Sequence, residues 1–140
     1  MDTDLGPGET WVLMFELFGL MRTHFGRICR EFGLTPAQGR ALVELEPGSP
    51  RAMNWLAGRL GNDASNITGL ADRLEDRGLV GRGVHPEDRR IKALFVTTRG
   101  TKLREELISR LKEAPSPITG LSEEDQRTLR RVLRRVVDSA

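Results

Sequence analysis

Apolar positions recur along most of the chain at helical spacing. From Thr10 to Phe32 two stripes run together: Trp11, Phe15, Phe18, Phe25, Cys29 and Phe32 on one, Met14, Leu17, Met21, His24 and Ile28 on the other. Two stripes predict a long helix buried on more than one side, one by its own domain and one by a partner subunit. Gly19 and Gly26 lie near two turns apart, which fits close helix approach at the expense of helix propensity. Gly33-Leu34 closes this helix, and Thr35-Pro36 opens the next with an N-cap residue and a proline at the first helical position. That second helix carries Ala41, Leu42 and Leu45 and stops before Pro47-Gly48-Ser49-Pro50. A short third helix is expected from Ala52 to Leu60, with Met53, Leu56, Ala57 and Leu60 inward. After Gly61-Asn62, Asp63 is placed to cap a fourth helix from Ala64 to Arg77, with Ile67, Leu70, Ala71 and Leu74 as its core stripe and Gly78 at its end.

The period then changes. Leu79 to Val84 and Ile91 to Thr97 read as two strands joined by the charged tip His85-Pro86-Glu87-Asp88-Arg89-Arg90. Thr98 is placed to cap a fifth helix carrying Leu103, Leu107, Ile108 and Leu111, which Pro115-Ser116-Pro117 breaks. Ser122 caps the last helix, whose acidic first turn, Glu123-Glu124-Asp125, suits the positive helix end. Its apolar stripe is Leu129, Val132, Leu133, Val136 and Val137. The chain is therefore expected to be mainly α with a small β-hairpin wing and six helices. A helix, tight turn and helix followed at once by a charged hairpin is the winged helix–turn–helix plan.

Composition narrows the class. A chain of 140 residues with 30% charged and 38% hydrophobic residues is one ordinary globular domain. The pI is about 9.2 although the formal net charge is only +2, a balance that permits nucleic-acid binding. The single cysteine, Cys29, cannot form an internal disulfide. The acidic Met1-Asp2-Thr3-Asp4 start is unlike a signal peptide, and no apolar run is long enough to span a membrane, so a cytoplasmic location is expected. His24 and His85 are the only histidines, and no cluster has zinc-ligand spacing. No nucleophile elbow, phosphate-binding loop or acid pair points to catalysis, and no cofactor is expected.

Leu56-Ala57-Gly58-Arg59-Leu60-Gly61, Ile67-Thr68-Gly69-Leu70 and Arg73-Leu74-Glu75-Asp76-Arg77-Gly78-Leu79-Val80 resemble the core of the MarR family (multiple antibiotic resistance regulators). Asp88-Arg89-Arg90 and Leu94-Phe95-Val96-Thr97-Thr98-Arg99-Gly100 resemble its wing and the entry to its fifth helix. The resemblance implies a single domain over residues 1–140, with a DNA-binding lobe at 35–100 and dimerisation helices at 9–33 and 101–140. It implies a homodimeric regulator, ordinarily a repressor, on a pseudo-palindromic operator. Ser65, Asn66 and Thr68 lie near the start of the expected recognition helix, where short polar side chains reach base edges. Arg73 suits the phosphate backbone or a salt bridge to Asp72, Asp76 or Asp125. Gly69 departs from the family, which often has a long basic side chain there. The family's aspartate-x-arginine pattern maps to Asp88 and Arg90, and implies that the aspartate poses the arginine for the minor groove. Arg82, Arg89 and Lys92 are further phosphate candidates. Between Arg51 and Lys92 stand eight basic and six acidic residues, so affinity must come from placement of charge.

Many members of the family bind small aromatic compounds between the lobe and the dimer helices. Trp11, Phe18, His24, Phe25 and Trp55 are the candidates for such a pocket, although the aromatic stripe of the first helix reads equally well as core. Trp55 is alternatively placed to stack on Arg59. Two other readings stay open: a winged helix used for protein–protein contact, and redox sensing at Cys29.

Overall fold

The computed structural model describes residues 6–61 and 64–140, with Ala64 and Ser65 described by their backbone alone. The element order is α1 (Pro7–Glu31), α2 (Pro36–Glu44), β1 (Arg51–Ala52), α3 (Met53–Leu60), α4 (Ala64–Asp76), β2 (Val80–Val84), β3 (Lys92–Val96), α5 (Thr98–Leu111), α6 (Ser116–Thr119) and α7 (Glu123–Asp138). The strands form one antiparallel sheet in the order β1-β3-β2, with Val80 opposite Val96 and Val84 opposite Lys92.

The helix starts follow local chemistry. Thr35 and Gln38 form a capping box: the Gln38 amide donates to Thr35 Oγ1 at 3.2 Å and the Thr35 amide donates to Gln38 Oε1 at 2.9 Å. Ser122 caps α7 by accepting from the Asp125 amide at 3.1 Å. The expected cap at Asp63 lies outside the described residues. The fifth helix corrects an expectation by one residue, because its cap is Thr97 and not Thr98. Thr97 directly follows β3, and there its hydroxyl both accepts from the Gly100 amide at 3.0 Å and donates to the Gly78 carbonyl at 2.6 Å. The structure adds two short elements that the apolar pattern did not separate. Residues 51 and 52 pair with Leu94 and Ala93 as a third strand, and the proline-flanked segment after α5 makes a single helical turn, α6.

The core lies in the middle of the chain. Ile28, Leu42, Leu45, Leu56, Ile67, Leu74, Leu79, Leu94 and Leu107 are all essentially inaccessible and pack as one cluster. Burial of this kind contributes roughly 1.5–3 kcal/mol for each large aliphatic side chain. Leu56, Ala57, Ile67, Leu70, Ala71 and Leu74 are inward as the spacing predicts. The long helices at either end differ. Of α1 only Gly26, Ile28 and Cys29 are buried, and α7 buries none of its residues. Trp11, Phe15, Phe18 and Met21 remain 57–60% exposed, and Val132, Leu133, Val136 and Val137 are open too. A Cβ on Gly26 would touch Pro36 at 3.6 Å, whereas nothing among the described residues approaches Gly19.

α4, the wing and α5 meet at one crowded point. A Cβ on Gly100 would lie 1.9 Å from the Leu79 carbonyl oxygen and 2.7 Å from Val96 Cγ2. The clash is with backbone, so it cannot be relieved by a rotamer change. Gly100→Ala is expected to destabilise the fold by about 3 kcal/mol, at the upper end of overpacking costs. Urea unfolding followed by circular dichroism would show a clearly lower midpoint; an unchanged midpoint would contradict this packing.

Candidate nucleic-acid interface

α4 is amphipathic, with Ile67, Leu70, Ala71 and Leu74 holding its inner face against the core. That packing turns Asn66, Thr68, Asp72 and Arg73 to the exposed side. The predicted contact residue Ser65 falls in α4, but its side chain lies outside the described residues. Arg73 is exposed and, among the described residues, forms none of the ion pairs expected with Asp72, Asp76 or Asp125.

The wing brings a second set of charges alongside. Its tip is closed by the His85 amide donating to the Ile91 carbonyl at 2.9 Å and the Ile91 amide donating to the Asp88 carbonyl at 3.0 Å. The Asp88 carboxylate accepts from Arg90 three times: from its backbone amide at 3.0 Å, from Nε at 3.1 Å and from Nη2 at 3.1 Å. The Arg90 side chain is nonetheless 90% exposed, so it is held in one direction while projecting into solvent. The guanidinium hydrogen bonds hold the Asp88 carboxyl below its ordinary pKa of 3.8. Arg89 and Lys92 are exposed beside it. Arg82, on β2, reaches back to α4, where it pairs with Asp72 and lies 3.8 Å from Glu75.

Between α3, α4 and the wing lies a cleft of about 640 Å³, lined by Met53, Asn54, Thr68, Arg82, Ile91 and Lys92 among others. Thr68, Arg82 and Lys92, singled out separately in the sequence, thus share one concave surface. Asn54 and Ile91 were not anticipated there. Asn54 is one exposed polar residue on a short helix, and only the pairing of β1 with β3 brings α3 to the wing.

The proposed effector residues are scattered. Trp11 meets Phe15 edge to face at 5.4 Å, and both it and Phe18 are exposed. Phe25 packs against the core. His24 is half-buried; Arg27 Nη2 lies 2.8 Å from its Nδ1, and its Nε2 is buried without a hydrogen-bond partner among the described residues. Trp55 has Arg59 beside it, as the second of its two expected placements has it, and Arg51 closer still. The Arg51 guanidinium lies 4.6 Å from its ring centroid and Arg59 lies 5.9 Å away, so the indole has two cationic neighbours. Arg59 is itself fixed by a bidentate bond to Glu44 at 2.9 and 3.2 Å, which raises its pKa. Cys29 is fully buried, and burial pushes its thiol above the ordinary 9.0. That opposes the thiolate that oxidant sensing requires. Among the described residues no group of three acidic, histidine or cysteine side chains has metal-binding geometry, and no helix is long and apolar enough to cross a membrane.

A helix–turn–helix whose second helix shows a polar face beside a charged antiparallel hairpin defines a winged helix–turn–helix protein. The model of the MarR family matches residues 32–91. The HTH-type transcriptional repressor MdtR of Bacillus subtilis (strain 168) is 34% identical over 77 residues, 55% of this chain and about half the length of that relative. CouR of Rhodococcus jostii RHA1, solved with p-coumaroyl-CoA bound, is 28% identical with a TM-score of 0.71 and covers 89% of this chain and 88% of its own. YusO of Bacillus subtilis shares the fold over 100% of both chains, with a TM-score of 0.74 at 24% identity. Over residues 32–91 the chain is thus similar to the MarR family, and its fold over most of the chain is similar to that of CouR.

The Asp88–Arg90 pair has a direct test. The folded pKa of Asp88 is depressed, so the pairing is favourable above the ordinary aspartate pKa and is lost as pH falls through the lower folded value. NMR titration of the Asp88 carboxyl should give a midpoint below 3.8, and Arg90→Ala should move it upward. A midpoint indifferent to that substitution would show that the arginine is not held by Asp88.

Proposed function

We propose that the protein is a sequence-specific, DNA-binding transcriptional repressor acting as a homodimer on a pseudo-palindromic operator. The observation that carries this reading is the shared concave surface of α4 and the wing, with Thr68, Arg82 and Lys92 on its walls and Asp88-bound Arg90 projecting beside it. In this reading Ser65, Asn66 and Thr68 face base edges in the major groove. Arg73, Arg82, Arg89 and Lys92 contact phosphates, and Arg90 enters the minor groove, where the negative potential favours a guanidinium. Arg82 then exchanges its carboxylate partners for a phosphate. Residues 35–100 form the DNA-binding lobe of a single domain. The helices at 9–33 and 101–140 form the dimer, which covers the apolar faces of α1 and α7 that a lone chain leaves in water.

Two such lobes present recognition helices to successive major grooves, ~34–36 Å apart. Any effector that prefers a different separation shifts the population away from the DNA-competent form. An aromatic effector fits the residues Trp11, Phe18, His24 and Phe25, with Trp55 a weaker candidate, given its arginine neighbours. The repressor MdtR and the p-coumaroyl-CoA complex of CouR support regulation and aromatic ligand binding for relatives of this chain.

Binding to the protein's own promoter DNA and to random DNA, measured over a range of salt, tests the reading. The expected result is promoter preference with steep salt dependence. Arg90→Ala should lower affinity and flatten the salt slope by about one unit, the value for one fewer neutralised phosphate. Asn66→Ala should cut discrimination roughly 10-fold, as removal of a base-edge hydrogen bond does. Weak binding equal for both DNAs would instead favour a protein–protein interaction module. Sedimentation should show a dimer that Leu133→Asp converts to monomer, since a charge in an apolar interface lacks a partner; a monomeric wild type would exclude the dimer.

A further inference from the structure

Gly69 sits in the middle of α4, where glycine weakens a helix relative to alanine. Several other glycines have an internal reason. A Cβ on Gly39 would strike Cys29 Sγ at 2.4 Å, one on Gly81 the Phe95 ring at 2.3 Å and one on Gly100 the Leu79 carbonyl. Gly33, Gly48, Gly61 and Gly78 have positive φ. Gly69 has neither reason, because its φ is not positive and no described residue lies within 4 Å of the added Cβ. Gly19 and Gly58 are equally open, but Gly58 is in the last turn of α3, where its carbonyl accepts from Gly61, and Gly19 lies in the uncovered half of α1.

The helical period puts position 69 opposite the buried stripe Ile67, Leu70, Ala71 and Leu74, between Asn66 and Arg73. It is therefore a half-buried point on the face turned toward DNA in the proposed function, ringed by the exposed side chains of Asn66, Thr68, Asp72 and Arg73, with open space where a Cβ would stand. One helical step on, Asp72 is paired with Arg82, which offsets the charge of the carboxylate next along this face. On that reading of the face as DNA-binding, we infer that Gly69 is where the α4 backbone meets a base edge directly, and that a thymine methyl occupies the space a Cβ would take. Thymine's methyl is the apolar projection of the major groove, and a side-chain-free Cα offers it contact without a competing donor or acceptor.

Gly69→Ala separates this role from a structural one. The added methyl meets open space in a helix, so the thermal midpoint should rise by roughly 3 °C. Operator affinity should nevertheless fall about 10-fold or more, while affinity for random DNA changes less than about 2-fold. Replacing operator thymines singly by deoxyuridine should reveal one position per half-site that weakens the wild type and restores binding of the Gly69→Ala variant. Unchanged or tighter operator binding by Gly69→Ala, equal weakening on both DNAs, a lowered midpoint, or no such thymine would each overturn the inference. Failure of the wild type to prefer operator over random DNA would be a different result, and would remove the DNA-binding reading on which this inference rests.

Discussion

The Thr97 hydroxyl is the contact on which the arrangement of this molecule turns. It donates to the carbonyl of Gly78 and accepts from the amide of Gly100, while the Thr97 amide donates to the Leu79 carbonyl at 3.1 Å. These bonds tie the end of α4, the two roots of the wing and the first turn of α5 into one knot. Gly78 has a φ of 70° and ends α4 with its amide on the Glu75 carbonyl at 2.8 Å, while the Leu79 amide reaches the Leu74 carbonyl at 3.0 Å. From there Arg77 donates to the carbonyls of Gly33 at 2.7 Å and Phe32 at 3.3 Å, at the end of α1. A cation on those carbonyls also suits the negative end of the helix. α4 and the wing cannot turn independently of each other without breaking this set, so the polar helix face and the arginine-bearing hairpin keep a fixed relation.

Charge on that frame is sparse and placed. The stretch from Arg51 to Lys92 has only a small net positive charge, so a nonspecific attraction to polyanions would be weak. Its cations are instead individually posed. Asp88 fixes Arg90 from one side and leaves it almost fully exposed. Asp72 and Glu75 hold Arg82 against α4, and Glu44 holds Arg59 beside Trp55. Exposed pairs of this kind add little stability. What they change is orientation: a long side chain held by a carboxylate has fewer conformations to lose when it meets a phosphate.

Most of the architecture was legible in the chain because it rests on spacing and caps. The α4 stripe, the Thr35 cap, the Ser122 cap and the Gly78 stop are local signals, and each is found where the pattern puts it. The differences come from tertiary contacts. Thr97 and Thr98 are both good caps, and only the strand pairing that brings Gly78 to Thr97 selects the first. β1 is two residues long and exists because Leu94 and Ala93 offer partners. Trp55 reads as a platform for Arg59 one helical turn away, yet Arg51 lies closer, because the β1 turn folds it over the indole. Of the candidate site residues, Asp88 and Arg90 were readable as a pair through their resemblance to the MarR family's aspartate-x-arginine pattern, and they are paired in the structure. The cleft joining Thr68 to Lys92 was not, since it depends on the hairpin folding back along α4.

The same frame divides the chain into regions with different needs. Around Thr97 the ends of α4, the wing and α5 are closed by hydrogen bonds, and the aliphatic cluster from Ile28 to Leu107 packs beneath them. The first half of α1 and the whole of α7 contribute almost nothing to that cluster, although their apolar stripes are as regular as those of α4. Regular amphipathicity without burial is unfavourable in water unless another surface covers it. α1 nevertheless remains connected to the lobe, through Arg77 at its end and through Arg110 of α5, which grips Glu31 at 2.9 and 3.1 Å. A displacement of the exposed part of α1 therefore has a continuous route of packed helix and charged hydrogen bonds to the end of α4. Because Arg77 and Thr97 act on adjoining residues, that route ends at the knot that also holds the wing. A surface that covers the exposed half of α1 is thereby linked through hydrogen bonds to α4 and the wing together.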